Sequence, residues 1–289
     1  GPGSAWGDER ACTIDGWTTG PDNYIRVYTP TAANEVGVSQ RHDGTWGSGY
    51  RHTGGTWGIL VYDEYVRFDG IAMKGPYARI FYRYLVGTGE VRVSNCFVHI
   101  TPTAVNITPY YVYTDEYHPA VDVYYWNCIG INESANTSAV AFQVIDSAPT
   151  TINTHMYNCT AYAKSSNVFR ITAGNKYIKN CIALSDTTSD NFSISGAGAS
   201  LVEYCASADD TADDWGSPST NLTNQNFIFV DEDNWDLHLA SHSPGVDQGE
   251  DLSADLTNDF TTDIDNQTRP IGSAWDIGAD EAGFQIFYS

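Results

Sequence analysis

"KYIKNCIALSD" (176–186) is a short apolar strand interrupted by an Asn-Cys pair. The pair returns in "VRVSNCFVHI" (91–100), "VDVYYWNCIGI" (121–131) and "INTHMYNCTAY" (152–162), and a partial copy, "SLVEYCASAD", occupies 200–209. "YVRFDGIAMKG" (65–75) fits the same template with Asp-Gly for Asn-Cys. The cysteines Cys96, Cys128, Cys159, Cys181 and Cys205 follow one another at 32, 31, 22 and 24 residues. A constant strand between loops of variable length is the mark of a solenoid, in which each repeat stacks on its neighbours.

Most intervals hold a second strand-like segment: "ARIFYRYL" (78–85), "YYVYTD" (110–115), "AVAFQVID" (139–146), "NVFRITAG" (167–174) and "NFSISGAG" (191–198). No window shows helical apolar periodicity. Extended chain covers about 3.3 Å per residue, so such a repeat circles a small core once, as one coil of a parallel β-helix. Asn tolerates the left-handed conformation that a sharp corner between strands requires. Asn95, Asn127, Asn158 and Asn180 are therefore expected to form a hydrogen-bonded ladder at one corner, with Asp69 as its first rung. Cys96, Cys128, Cys159, Cys181 and Cys205 are expected beside it as a file of buried free thiols, because parallel side chains seldom offer disulfide geometry. The side-chain phase after each Cys is ambiguous: "CFVHI" and "CTAYA" suit Cys and the second residue on facing inward, whereas "CIALS" reads either way.

Composition agrees. Tyr (19) and Trp (8) are abundant, and aromatic and β-branched side chains suit a pleated surface. No apolar run is long enough to span a membrane. The net charge is −22, and residues 181–289 hold 21 of the 36 acids with a single base, Arg269. Such a field repels phosphate backbones, which argues against a nucleic-acid partner. The opening "GPGS" (1–4) reads as a tag-cleavage scar. Residues 5–55, with one strand at Tyr24–Tyr28 and a Gly-rich stretch, are expected to cap the open end of the solenoid. Residues 56–240 then supply the coils and 241–289 the closing segment.

That closing region carries a resemblance. Leu239 followed by "SPGVDQG" (243–249), "DIDNQTRP" (263–270) and "DIGADE" (276–281) resemble the C-terminal pieces of a large superfamily of bacterial and phage right-handed parallel β-helix proteins of pectate-lyase-like form. The resemblance implies an all-β, single-stranded right-handed β-helix, here of roughly eight coils, with an N-terminal cap and these pieces as last coils and cap. It also implies an extracellular, cell-surface or virion setting. Members of the superfamily are monomeric enzymes or homotrimeric phage parts, and include lyases, hydrolases and adhesins, so the likeness does not settle the chemistry.

Residues 77–84 and 110–126 together hold eleven aromatics. On adjacent coils they are expected to form one lateral face that stacks on sugar rings, with charged groups fixing hydroxyls or carboxylates. The substrate-binding set is Tyr82, Arg83, Tyr84, Arg92, Tyr111, Tyr113, Asp115, His118 and Tyr124. A uronate lyase would use Arg83 or Arg92 as cation and His118 or a Tyr as base. A hydrolase would draw two carboxylates from Asp115, Glu116 and Asp122. A binding surface needs neither, and no spacing singles out a catalytic residue. The expected function is a glycan-interacting β-helix, polysaccharide-degrading or carbohydrate-binding. The alternative is a non-catalytic structural or adhesive module. Acidic clusters at 209–214, 231–236 and 255–265 suggest a structural Ca²⁺. No EF-hand, zinc-protease, nucleophile-elbow or dinucleotide motif is present.

Overall fold

The chain is a parallel β-helix in the computed structural model, which describes residues 12–53, 58–83, 89–114, 121–146, 152–172, 174–216, 219–254 and 260–283. Three parallel sheets of seven strands run its length, and each coil gives one strand to each sheet. In the fourth coil these are Tyr110–Thr114 in the first sheet, Val121–Trp126 in the second and Ile129–Asn132 in the third. A two-stranded antiparallel ribbon, Phe229–Asp231 with Asp236–Leu239, follows the last coil.

The repeated dipeptide makes the corner between the second and third sheets. Asn95, Asn127, Asn158 and Asn180 all sit at φ between 47° and 53°, the left-handed region that Asn enters more readily than most residues. Strand register pairs Asp69 with Ser94, so the corner residue of the second coil is Gly70 (φ 75°), not Asp69. Asp69 still ends the ladder, accepting from Asn95 Nδ2 at 2.9 Å. Asn127 Nδ2 donates to Asn95 Oδ1 at 3.1 Å and Asn180 Nδ2 to Asn158 Oδ1 at 3.2 Å. Between Asn127 and Asn158 the amide ladder is interrupted, because Asn158 Nδ2 donates instead to the carbonyls of Asp276 and Gly278.

The phase is now resolved. Cys96, Val98 and Ile100 belong to the interior, as do Cys159, Ala161 and Ala163, and Cys181 with Ala183. The five stacked cysteines are buried free thiols, and Cys12 is exposed. Burial pushes the thiols of Cys96 and Cys181 well above their ordinary pKa, so they are poor nucleophiles. Opposite them the first sheet supplies an aromatic column: Tyr110 on Phe142 at 4.4 Å between centroids, Phe142 on Phe169 at 5.2 Å and Phe169 on Phe192 at 5.1 Å.

Both ends differ in detail from the sequence reading. Residues 12–52 supply three strands, Cys12–Ile14, Ile25–Tyr28 and Arg51–His52, one to the start of each sheet. The last coil is covered by the segment just after it: Ala212 joins the core and Trp215 packs on it. The "DIDNQTRP" and "DIGADE" pieces are not a lid. They run back along the outside of the third sheet, where Phe97, Ile129, Ile131, Ile182 and Leu184 meet Phe229, Leu237, Leu239, Ile264 and Ile277. The third sheet is thus buried on both faces. Gly278 (φ 109°) fits this contact closely; a Cβ there would lie 2.8 Å from Ile182 Cδ1 and 2.9 Å from Thr160 Oγ1, so the position requires glycine.

Candidate ligand-binding faces

With the third sheet covered, two outward faces stay open, and the aromatic and basic residues are divided between them. Among the described residues the expected set does not share one face. Strands alternate inside and out, and Tyr110–Thr114 belongs to the first sheet whereas Val121–Trp126 belongs to the second, so the described residues of the predicted set fall on different walls.

On the first sheet, Phe81, Tyr111, Gln143 and Arg170 stand in one outward row, residue opposite residue on successive coils. Arg83, Tyr113 and Ile145 form the next row. Phe81 and Tyr111 stack with 4.6 Å between centroids and 5° between planes. The guanidinium of Arg79 lies over the Phe81 ring, 4.7 Å from its centre. A cleft of about 300 Å³ opens beside this pair, lined by Arg79, Tyr111, Gln143, Ile145 and Arg170, with Thr108 at its back. Among the described residues no carboxylate lines it. Burial pushes the pKa of Arg79 down to about 10, which leaves it cationic at neutral pH. Burial, then Tyr113, raises the Tyr111 hydroxyl pKa, and Arg170, Arg79 and Arg83 pull it back.

On the second sheet the outward row is Arg67, Arg92, Tyr124, His155 and Tyr177. Its rings form a continuous stack, Tyr124 to His155 at 4.6 Å and His155 to Tyr177 at 4.8 Å. Arg92 lies 5.5 Å over Tyr124. Burial holds His155 below the ordinary imidazole value. The acids here are committed. Glu90 is gripped by Arg67 at 2.5 Å and Arg92 at 2.7 Å, and Asp122 accepts from Asn153 at 2.8 Å. Both therefore serve as ion-pair and hydrogen-bond anchors on neighbouring coils.

Of the predicted set, Arg83, Tyr111 and Tyr113 share the first face, and Arg92 and Tyr124 the second. Tyr82 is corrected: it is wholly buried, and its hydroxyl donates to the Val66 carbonyl at 2.8 Å. Tyr84, Asp115, His118 and Glu116 lie outside the described residues. Sequence reasoning missed Gln143, Arg170, His155 and Tyr177. The signal was available: aligning Tyr110, Phe142 and Phe169 as one inward column puts Tyr111, Gln143 and Arg170 together outside.

The acidic clusters are turns more than cages. Asp209 Oδ1 accepts from Thr211 N and Oγ1 at 3.1 and 2.7 Å, and Asp231 accepts from Asn234 at 2.8 Å. Residues 255–259 lie outside the described residues. No protein-family model, curated protein or solved structure matches this chain. No helix among the described residues is long and apolar enough to cross a membrane.

Proposed function

We propose that the chain binds acidic polysaccharide through the first-sheet cleft, as a glycan-interacting β-helix. The observation that carries this is one cleft that holds Arg79 and Arg170 beside the Tyr111 ring, itself stacked on Phe81. A flat ring offers a platform for a pyranose face. A guanidinium offers two parallel donors to a carboxylate or sulfate. Gln143 and Thr108 add hydroxyl-directed groups at the base of the cleft. The resemblance of the closing segment to bacterial and phage β-helix proteins fits this reading, with an extracellular, cell-surface or virion setting.

Binding is favoured over cleavage because the cleft has cations and rings but no carboxylate among the described residues. The test is a panel of neutral and acidic glycans, read for retention and for new reducing ends or unsaturated uronate. Retention of acidic glycans, weakened at least about tenfold by Tyr111→Ala or Arg170→Ala, supports the reading. Retention with no new product assigns a binding module; product formation assigns an enzyme. Failure of every acidic glycan to bind removes the proposal.

A further inference from the structure

A cavity of about 800 Å³ lies away from both open faces. It sits where the antiparallel ribbon, the turn at 263–267 and the "DIGADE" piece converge, and His238, Asp265 and Asp280 project into it. We propose that these three residues form a binding site for a divalent first-row transition ion of the Zn²⁺ type. One ligand atom from each lies within 4.8 Å of the others, the only such trio of His, Cys, Asp or Glu among the described residues.

The second observation is independent of that spacing. His238 Nε2 and Asp265 Oδ1 are both buried and have no hydrogen-bond partner. Leaving buried polar atoms unmet is costly, and a native fold seldom does so without a reason. Each ligand is also held from behind. His238 Nδ1 is engaged by Asp236, which leaves Nε2 as the donor toward the centre. Asp265 Oδ2 accepts from Gln267 Nε2 at 2.7 Å, and Asp280 Oδ2 accepts from Leu239 N at 2.7 Å. In both carboxylates the other oxygen remains for a ligand. This is the support that orients metal-binding side chains. Gly44 (φ 83°) lies against the imidazole; a Cβ there would lie 2.7 Å from His238 Nε2. A side chain at that position would block the imidazole.

The donor set selects the ion. One imidazole and two carboxylates suit Zn²⁺, Mn²⁺ or Fe²⁺. Calcium wants six to eight oxygens, and the trio supplies two carboxylates at most. Three protein ligands facing a cavity leave a coordination position for water or an exchangeable ligand. The site is separate from the first-sheet cleft, so it stands or falls apart from the glycan reading.

The experiment is dialysis of the full chain against Zn²⁺ after chelator treatment, with elemental analysis and calorimetric titration. A Co²⁺-loaded sample is read by visible absorption for nitrogen and oxygen ligation. One ion per chain is expected, weakened at least about tenfold by Asp265→Asn and by His238→Gln, with the visible band lost in the His238 variant. Asp233→Asn, on the exposed acidic turn, is expected to leave binding unchanged. Circular dichroism checks that each variant is folded, and if His238→Gln is not, Asp265→Asn and the Co²⁺ spectrum of the unaltered chain decide. No stoichiometric ion, or equal affinity in the Asp265 variant, or a cobalt spectrum of thiolate ligation, overturns the site.

Discussion

Arg269 Nη2 lies 3.3 Å from Asn127 Oδ1, across 142 residues of chain. An arginine from the closing segment thus takes the acceptor that an unbroken asparagine ladder would offer to the next rung. The same nitrogen donates to the carbonyls of Gly278 and Ala279 at 3.1 and 3.0 Å, and Nη1 pairs with Glu281 at 2.5 Å, both side chains wholly buried. Removing one partner of a buried pair strands the other charge. Arg269→Ala is expected to cost about 3–5 kcal/mol, and Arg269→Lys to rescue little, because the planar fork is lost. Denaturant melts measure the loss. Limited proteolysis should then find new cleavage within 260–283; an unchanged digestion pattern would show that the segment is held by other contacts.

Tyr204 occupies the corner of the last coil with φ 51°, where the second to sixth coils have Asn or Gly. A left-handed non-glycine residue carries a cost of roughly 1–2 kcal/mol. Tyr204→Asn and Tyr204→Gly are each expected to raise stability by up to about 1 kcal/mol. Thermal melting checks this, and a clear loss in both variants would mean that the ring's packing outweighs the backbone conformation.

Tyr82 and Tyr111 separate core from surface. Tyr82→Ala is expected to cost about 3–5 kcal/mol, since the ring is fully buried. Tyr82→Phe loses only the hydrogen bond to Val66, about 1 kcal/mol. Tyr111→Ala is expected to leave the melting transition close to that of the unaltered chain while lowering glycan retention. If Tyr82→Ala melts like the parent, the inward placement of that strand is wrong.

The thiol file predicts a simple titration. Five of the six cysteines are buried and only Cys12 is exposed. A thiol reagent added to native protein is expected to modify one cysteine per chain, and six after denaturation, because the thiolate must reach solvent to react. Fewer than six in denaturant without reductant would reveal disulfides that the stacked geometry disfavours.

His42 predicts acid sensitivity. It is buried near Phe97, its Nδ1 accepting from Gly44 N at 3.0 Å. Burial, then Arg41, pushes its pKa from 6.5 down to about 4, against upward pulls from the Asn95 backbone, Asp43 and Asp69. The unfolded chain takes up the proton near its ordinary value and the folded chain only near 4. The contribution is therefore complete above pH 6.5 and lost as the pH falls toward 4, at most about 3 kcal/mol. Asp276, raised to about 6 by burial, acts in the opposite direction, so the reading is the difference between the parent and His42→Gln. That difference should narrow on acidification; a constant gap across the window would refute the assignment.

The repeat made the parallel solenoid legible because its decisive feature is local. A residue able to turn through the left-handed region, followed by a small apolar one, states the corner and the inward phase wherever it occurs, whatever the loops do. Asn95, Asn127, Asn158 and Asn180 therefore sit where the sequence puts them. Alternation also held the information that Tyr82 points inward and Tyr111 outward, although only strand register shows which outward residues become neighbours. What the linear chain did not disclose is what covers what. The closing segment reaches back more than a hundred residues to dock on Asn127, Asn158 and the third sheet. That docking buries one wall and brings His238, Asp265 and Asp280 together. Corner conformation is a property of two adjacent residues, whereas coverage is decided by apolar surfaces that meet only after the coils have stacked.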